Sequence, residues 1–101
     1  MSLSPQRKGK CLEIIDSLLK YKISSVFAYP VDPVLNGCPD YFTVIKNPMD
    51  ILTVQNKLEN NTYSKFSEFC TDVDLIWQNA QEYNGKDSII GLLASQMKMW
   101  F

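Results

Sequence analysis

KFSEFCTDVDLIWQNAQEY, residues 65–83, decides how this chain folds. Phe66, Phe69, Cys70, Val73, Ile76, Trp77, Ala80 and Tyr83 recur at steps of three and four. That period lines one face of a helix and no face of a strand. Ser64 is the expected N-cap, because its hydroxyl can accept from an unpaired first-turn N–H. A helix with so wide an apolar face needs partners, and the rest of the chain supplies three. Leu12, Ile15, Leu18 and Leu19, widened by Cys11 and Ile14, predict a helix from Pro5 to Lys22, with Pro5 suited to its first turn. Asp50 is placed to cap a short helix from Ile51 to Asn60, carrying Ile51, Val54 and Leu58 and ended by Asn60-Asn61. After Asp87-Ser88, a last stripe holds Ile90, Leu93, Ala94, Met97 and Phe101. Val44-Ile45 is too short for a strand and nothing alternates for long. The expected class is an all-α four-helix bundle.

Composition narrows the function. The chain has 101 residues, 46% of them hydrophobic and 21% charged, which is globular composition. It has no histidine, which removes Ser-His-Asp and Cys-His catalysis, HExxH zinc sites and Cys₂His₂ fingers. Cys11, Cys38 and Cys70 form no CxxC pair. Three scattered cysteines suit reduced thiols and a nuclear or cytosolic compartment. No nucleophile–base pair, metal cluster or phosphate loop stands out, so neither an enzyme nor a cofactor is expected. The net charge is −1, with a short basic excess confined to residues 1–22. A nucleic-acid reader would carry a basic stripe on its recognition element, so none is expected. No apolar run approaches the roughly 20 residues needed to span a bilayer, and Met1-Ser2-Leu3-Ser4-Pro5 shows no secretory leader.

The connection from Ile23 to Met49 is far longer than the roughly 12–15 residues usual for a structureless loop. It holds Pro30, Pro33, Pro39 and Pro48 among Phe27, Tyr29, Val31, Val34, Leu35, Tyr41, Phe42, Val44 and Ile45. A stiff apolar loop can wall a pocket or cap the core. Asn84 poses the matching question. At 100° per residue it lies within about 40° of Val73, Trp77 and Ala80, so a carboxamide ends the core stripe. Asn before Gly85 is a common helix stop. The same side chain could instead offer one donor and one acceptor to an amide ligand.

The chain resembles the bromodomain family, the acetyl-lysine readers, from about Leu12 to Phe101. The resemblance is carried by Val26-Phe27-Ala28-Tyr29-Pro30-Val31-Asp32, Pro39-Asp40-Tyr41-Phe42, Ile45-Lys46-Asn47-Pro48-Met49-Asp50, Leu58-Glu59-Asn60-Asn61 and Asn79-Ala80-Gln81-Glu82-Tyr83-Asn84. It implies a left-handed four-helix bundle, with a long loop between the first two helices and a short one between the last two. Asn84 then hydrogen-bonds the acetyl carbonyl, and Tyr41 holds it through a water. Phe27 and Val31, with Val26 beside them, wall the acetyl methyl. Asn36 and Cys38 line the channel where leucine is common, and Ile90 stands at the gatekeeper position. Ser25-Val26-Phe27 replaces the usual Trp-Pro-Phe, so the tryptophan shelf is missing. The resemblance implies a nuclear chromatin reader of acetylated histone or other protein tails, monomeric as an isolated domain. A helix-bundle interaction domain that binds unmodified peptide is the alternative. Residues 1–101 are expected to form one such domain, with residues 1–4 a disordered or added leader. Asp32, Asp40, Asp50, Glu82 and Asp87 outnumber Lys46 and Lys86, a net −3 expected at the pocket mouth.

Overall fold

The computed structural model describes residues 3–21 and 24–100, Trp100 by its backbone alone. Four long helices form the bundle: α1 (Pro5–Lys20), α4 (Ile51–Glu59), α5 (Phe66–Asn84) and α6 (Ile89–Trp100). Two single-turn helices, α2 (Ser25–Ala28) and α3 (Tyr41–Val44), interrupt the long connection. There is no strand among the described residues.

Local chemistry explains most of the helix ends. Ser4 caps α1, its Oγ accepting from the Arg7 N–H at 3.2 Å, and Pro5 follows in the first turn. Of the expected disordered or added leader, Leu3 and Ser4 are bonded in place. Leu3 donates its N–H to the Tyr63 carbonyl at 3.1 Å and packs on the core. Met1 and Ser2, from the same expectation, lie outside the described residues. Helix α1 ends at Lys20, because Tyr21 turns to extended backbone. The expected terminus Lys22 lies outside the described residues, as do Ile23 and Phe101. Asp50 caps α4 as expected, its carboxylate accepting from the Thr53 N–H at 2.8 Å. Asn61, at φ +56°, follows the end of α4.

The cap of α5 differs from expectation. Lys65, not Ser64, occupies the N-cap position in extended backbone. Glu68 reaches back, and its carboxylate accepts from the N–H groups of Ser64 (2.6 Å) and Lys65 (3.0 Å). Those two bonds hold the Glu68 carboxyl below its ordinary pKa. This third-position Glu supplies the reach-back half of a capping box, satisfying N–H groups just ahead of the helix.

The apolar stripes meet in one core. Cys11, Ile15 and Leu18 of α1 pack with Ile51, Val54 and Leu58 of α4. Phe69, Val73, Ile76 and Trp77 of α5 and Ala94 and Met97 of α6 complete it. Trp77 and Met97 are core residues, as their period requires. Full burial of one such aliphatic side chain contributes about 1.5–3 kcal/mol. The stripe therefore outweighs any single surface contact. Phe27 joins the core edge-on to Trp77, ring centroids 5.3 Å apart, and so ties the long connection to the centre of the bundle.

A half-buried polar cluster ties the first half of α5 to α4 and to Tyr63. The Tyr63 hydroxyl and the Lys57 ammonium both donate to Asp72 Oδ2 at 2.6 Å. Lys57 also lies over the Tyr63 ring, 4.9 Å from its centroid. Burial and the neighbouring Asp72 push the Tyr63 phenol well above its ordinary pKa, so it stays a donor.

Candidate functional site

Asn84 is the last residue of α5, and the chain breaks there because Gly85 follows at φ +92°, where L side chains are strained. The helical angle set Asn84 in the core stripe. At the bundle's end that stripe runs out of partners, and the side chain is exposed rather than buried. Its Nδ2 donates to the Ala80 carbonyl at 3.1 Å. A carboxamide has two N–H donors. One N–H and the Oδ1 therefore have no partner among the described residues. The buried carboxamide of α5 is Asn79, 5% exposed, whose Nδ2 donates to the Asn47 carbonyl at 2.8 Å. That bond fastens the long connection to α5.

A cavity of about 610 Å³ opens at this end of the bundle. Helix α5 contributes Ile76, Ala80, Tyr83 and Asn84, and α6 contributes Ile90. The long connection supplies Ser25, Val26 and Phe27, then Tyr29, Pro30 and Val31, and finally Asn36, Gly37, Cys38, Tyr41 and Met49. All eight expected site residues therefore line one space: Asn84, Tyr41, Phe27, Val31, Ile90, Val26, Asn36 and Cys38. The long connection is thus a pocket wall as well as a core cap, since Phe27 and Ile45 are also buried. Sequence reasoning missed Ile76 and Ala80 as lining residues, because it had spent them on the core. It gave no weight to Met49, which reads only as a link in Pro48-Met49-Asp50.

Side-chain hydrogen bonds hold this wall in place. Asp32 Oδ1 accepts from the N–H groups of Val34 (3.0 Å) and Leu35 (3.2 Å). Asn36 closes the same turn, its Oδ1 accepting from the Asp32 N–H at 2.9 Å while its own N–H donates to the Asp32 carbonyl at 2.8 Å. The Tyr83 hydroxyl donates to the Asp40 carboxylate, which pushes its pKa up to about 12. Tyr83 therefore bonds across to the long connection and also lines the cavity. Its ring lies 5.0 Å from that of Tyr41. Tyr41 is buried, and burial, with the Cys38 thiol nearby, pushes its phenol up, so it is protonated at neutral pH.

One acid expected at the mouth is elsewhere. Asp50 is 4% exposed and spent on capping α4. Asp32, Asp40, Glu82 and Asp87 against Lys46 and Lys86 leave a net −2 on the two connections and the last turn of α5.

Two of the lining residues, Asn84 and Ile90, each adjoin a glycine of one close backbone contact. Gly91, on the first turn of α6, packs so closely on the end of α5 that a Cβ there would lie 2.0 Å from the Gly85 carbonyl oxygen. Ser88 Oγ donates to that oxygen at 2.7 Å and accepts from the Gly91 N–H at 3.0 Å.

Among the described residues no group of three or more His, Cys, Asp or Glu could hold a metal ion. No described helix is long and apolar enough to cross a membrane. Apolar walls around one half-free carboxamide suit recognition of a neutral amide, and the arrangement is that of a recognition module. The bromodomain family model matches residues 11–96, and the chain belongs to that family. Its relatives include an ankyrin repeat, bromo and BTB domain-containing protein of Dictyostelium discoideum, 47% identical over 87 residues. The SWR1 complex bromodomain subunit of Schizosaccharomyces pombe is 37% identical over 99 residues. A transcription factor of Arabidopsis thaliana is 40% identical over 95 residues. The alignments take in 86%, 98% and 94% of this chain but 11%, 17% and 15% of those relatives. The bromodomain is a reader module of chromatin factors rather than a catalytic fold.

Proposed function

We propose that this chain reads acetylated lysine in protein tails, histone tails first among them, within a larger nuclear protein. The observation that carries the reading is Asn84: a carboxamide with one N–H and its carbonyl unpartnered among the described residues, at a cavity walled by Phe27, Val31 and Ile90. Acetylation turns a lysine ammonium into a neutral secondary amide. The ammonium would lose several kcal/mol of hydration on entering an apolar pocket without a paired anion. The acetyl group instead buries its methyl and gives its carbonyl to the Asn84 N–H. Tyr41, held protonated, reaches the same carbonyl through a water.

The magnitudes set the affinity. One neutral hydrogen bond nets about 0.5–1.5 kcal/mol, and burying a methyl adds roughly 2 kcal/mol or less. Binding is then weak, on the order of micromolar to millimolar, and linked reader modules would raise it through avidity. The domain acts as a monomer, carries out no catalysis and reads no nucleic acid.

Titration calorimetry with paired acetylated and unmodified tail peptides tests the reading. Binding confined to the acetylated member supports it. Equal binding of both would replace it with a general peptide-docking bundle.

A further inference from the structure

We infer that the backbone contact between Gly85 and Gly91, stapled by Ser88, sets the length of acyl chain the cavity admits. It does so by fixing how close Ile90 stands to Asn84. The inference rests on the acyl-lysine reading proposed above and deepens it.

The contact is closed to any other residue. A Cβ at position 91 would meet the Gly85 oxygen at 2.0 Å, the Gly85 carbonyl carbon at 3.0 Å and the Lys86 oxygen at 3.0 Å. All three are backbone atoms, so none can swing aside as a side chain can. Ordinary contact begins at 3.4 Å, so a methyl group here must drive the first turn of α6 back by more than an ångström. Ser88 holds the approach from between, bonded through one hydroxyl to Gly85 and to Gly91. Gln81 holds it from α5, its Nε2 donating to the Gly91 carbonyl at 3.4 Å and to Ser95 Oγ at 2.7 Å.

Both neighbours of the contact line the cavity. Asn84 directly precedes Gly85, and Ile90 directly precedes Gly91. The gap between the amide anchor and this apolar wall is therefore inherited from a glycine–glycine approach. A methyl amide needs the least depth beyond its carbonyl. Propionyl and butyryl amides need successively more, and one methylene too many in an apolar slot costs about 10–200-fold in discrimination.

The test uses the 101-residue chain and one lysine peptide in four forms: unmodified, acetylated, propionylated and butyrylated. Calorimetry on the parent chain is expected to favour acetyl over butyryl by about tenfold or more. Ser88→Ala removes the staple without adding bulk and lowers that ratio at least threefold. Gly91→Ala lowers it further. Ile90→Val shaves the same gap without touching the backbone and moves the ratio the same way. A merely weakened fold depresses all the acylated peptides together and leaves the ratio alone. The inference is overturned if the parent chain takes butyryl as well as acetyl, or if a folded Ser88→Ala or Ile90→Val keeps the parent ratio. Should Gly91→Ala not fold, those two variants decide. Equal binding of all four peptides would instead overturn the acyl-lysine reading itself.

Discussion

The two connections that hold the cavity are built by different physics. Residues 85–88 are placed by steric contact: two glycines, one at φ +92° and one pressed against a carbonyl, with a single serine between them. The stretch from Ser24 to Asp50 is placed by side-chain hydrogen bonds. Asn79 holds Asn47, Tyr83 holds Asp40, and Asp32 and Asn36 hold each other. A steric wall tolerates almost no substitution at its contact point. A wall of separate hydrogen bonds loosens in increments, each worth about 0.5–1.5 kcal/mol. The long wall can therefore shift in several small steps, while the short wall keeps Asn84 and Ile90 in register through one close contact and its serine staple.

Asn84 belongs to neither wall, and changing it should give the largest effect on binding while leaving both walls standing. Asn84→Ala removes the donor and is expected to cost about 1–3 kcal/mol of acetyl-peptide affinity. Asn84→Asp keeps the shape, yet ionised it has no donor and turns a charge toward the acetyl carbonyl. Both variants should lose measurable binding in calorimetry, with thermal stability close to the parent's. Unchanged affinity in a folded Asn84→Asp would leave this residue only as the stop of α5.

Asn79→Ala separates the walls next. It cuts a buried amide bond between α5 and the long connection, so denaturant unfolding should show a loss of about 1 kcal/mol. Acetyl-peptide affinity should fall with it. Gln78→Ala, one residue away and exposed, should stay within about 0.5 kcal/mol. Equal losses at both positions would mean that Asn79 holds nothing.

The Tyr83–Asp40 bond gives a smaller, pH-dependent effect. Its hydrogen bond to a carboxylate raises the Tyr83 pKa from 10 to about 12 in the folded chain. The contribution is complete below pH 10 and disappears as pH rises through about 12. A phenolate absorbance titration should show one tyrosine ionising near 12, and Tyr83→Phe should remove that step. A titration unchanged by Tyr83→Phe would dissolve the clamp.

The smallest effect is kinetic. Acidic residues on both connections should speed association of basic acetylated tails at low ionic strength. With Asp50 withdrawn into a cap, the salt slope should be shallow. A rate independent of salt would end the steering argument.

The four long helices were legible because each buries a periodic stripe, and a stripe is visible without knowing its partner. The family resemblance, rather than period, brought the eight lining residues together. What stayed hidden lies where the long connection touches α5. On a helical wheel Asn79 sits about 60° from Ile76, on the flank of the stripe that an ordinary helix leaves polar. It is buried only because the connection crosses that flank, and nothing local says so. Asn84 errs the other way: its angle is a core angle, but the core ends before it. The single turns α2 and α3 have four residues each, too few to show a period. Gly91 gave no signal, since a close approach of two backbones leaves no mark in the residues around it.

The Lys57–Tyr63–Asp72 cluster has a consequence for how such modules diversify. Asp72 and Asn84 lie twelve positions apart on α5, about 18 Å along the helix. Substitutions that far apart, sharing no partner, add nearly independently. Drift at the ligand mouth therefore leaves this lock untouched, and a lineage can try new readers while the fold is secured from the other end.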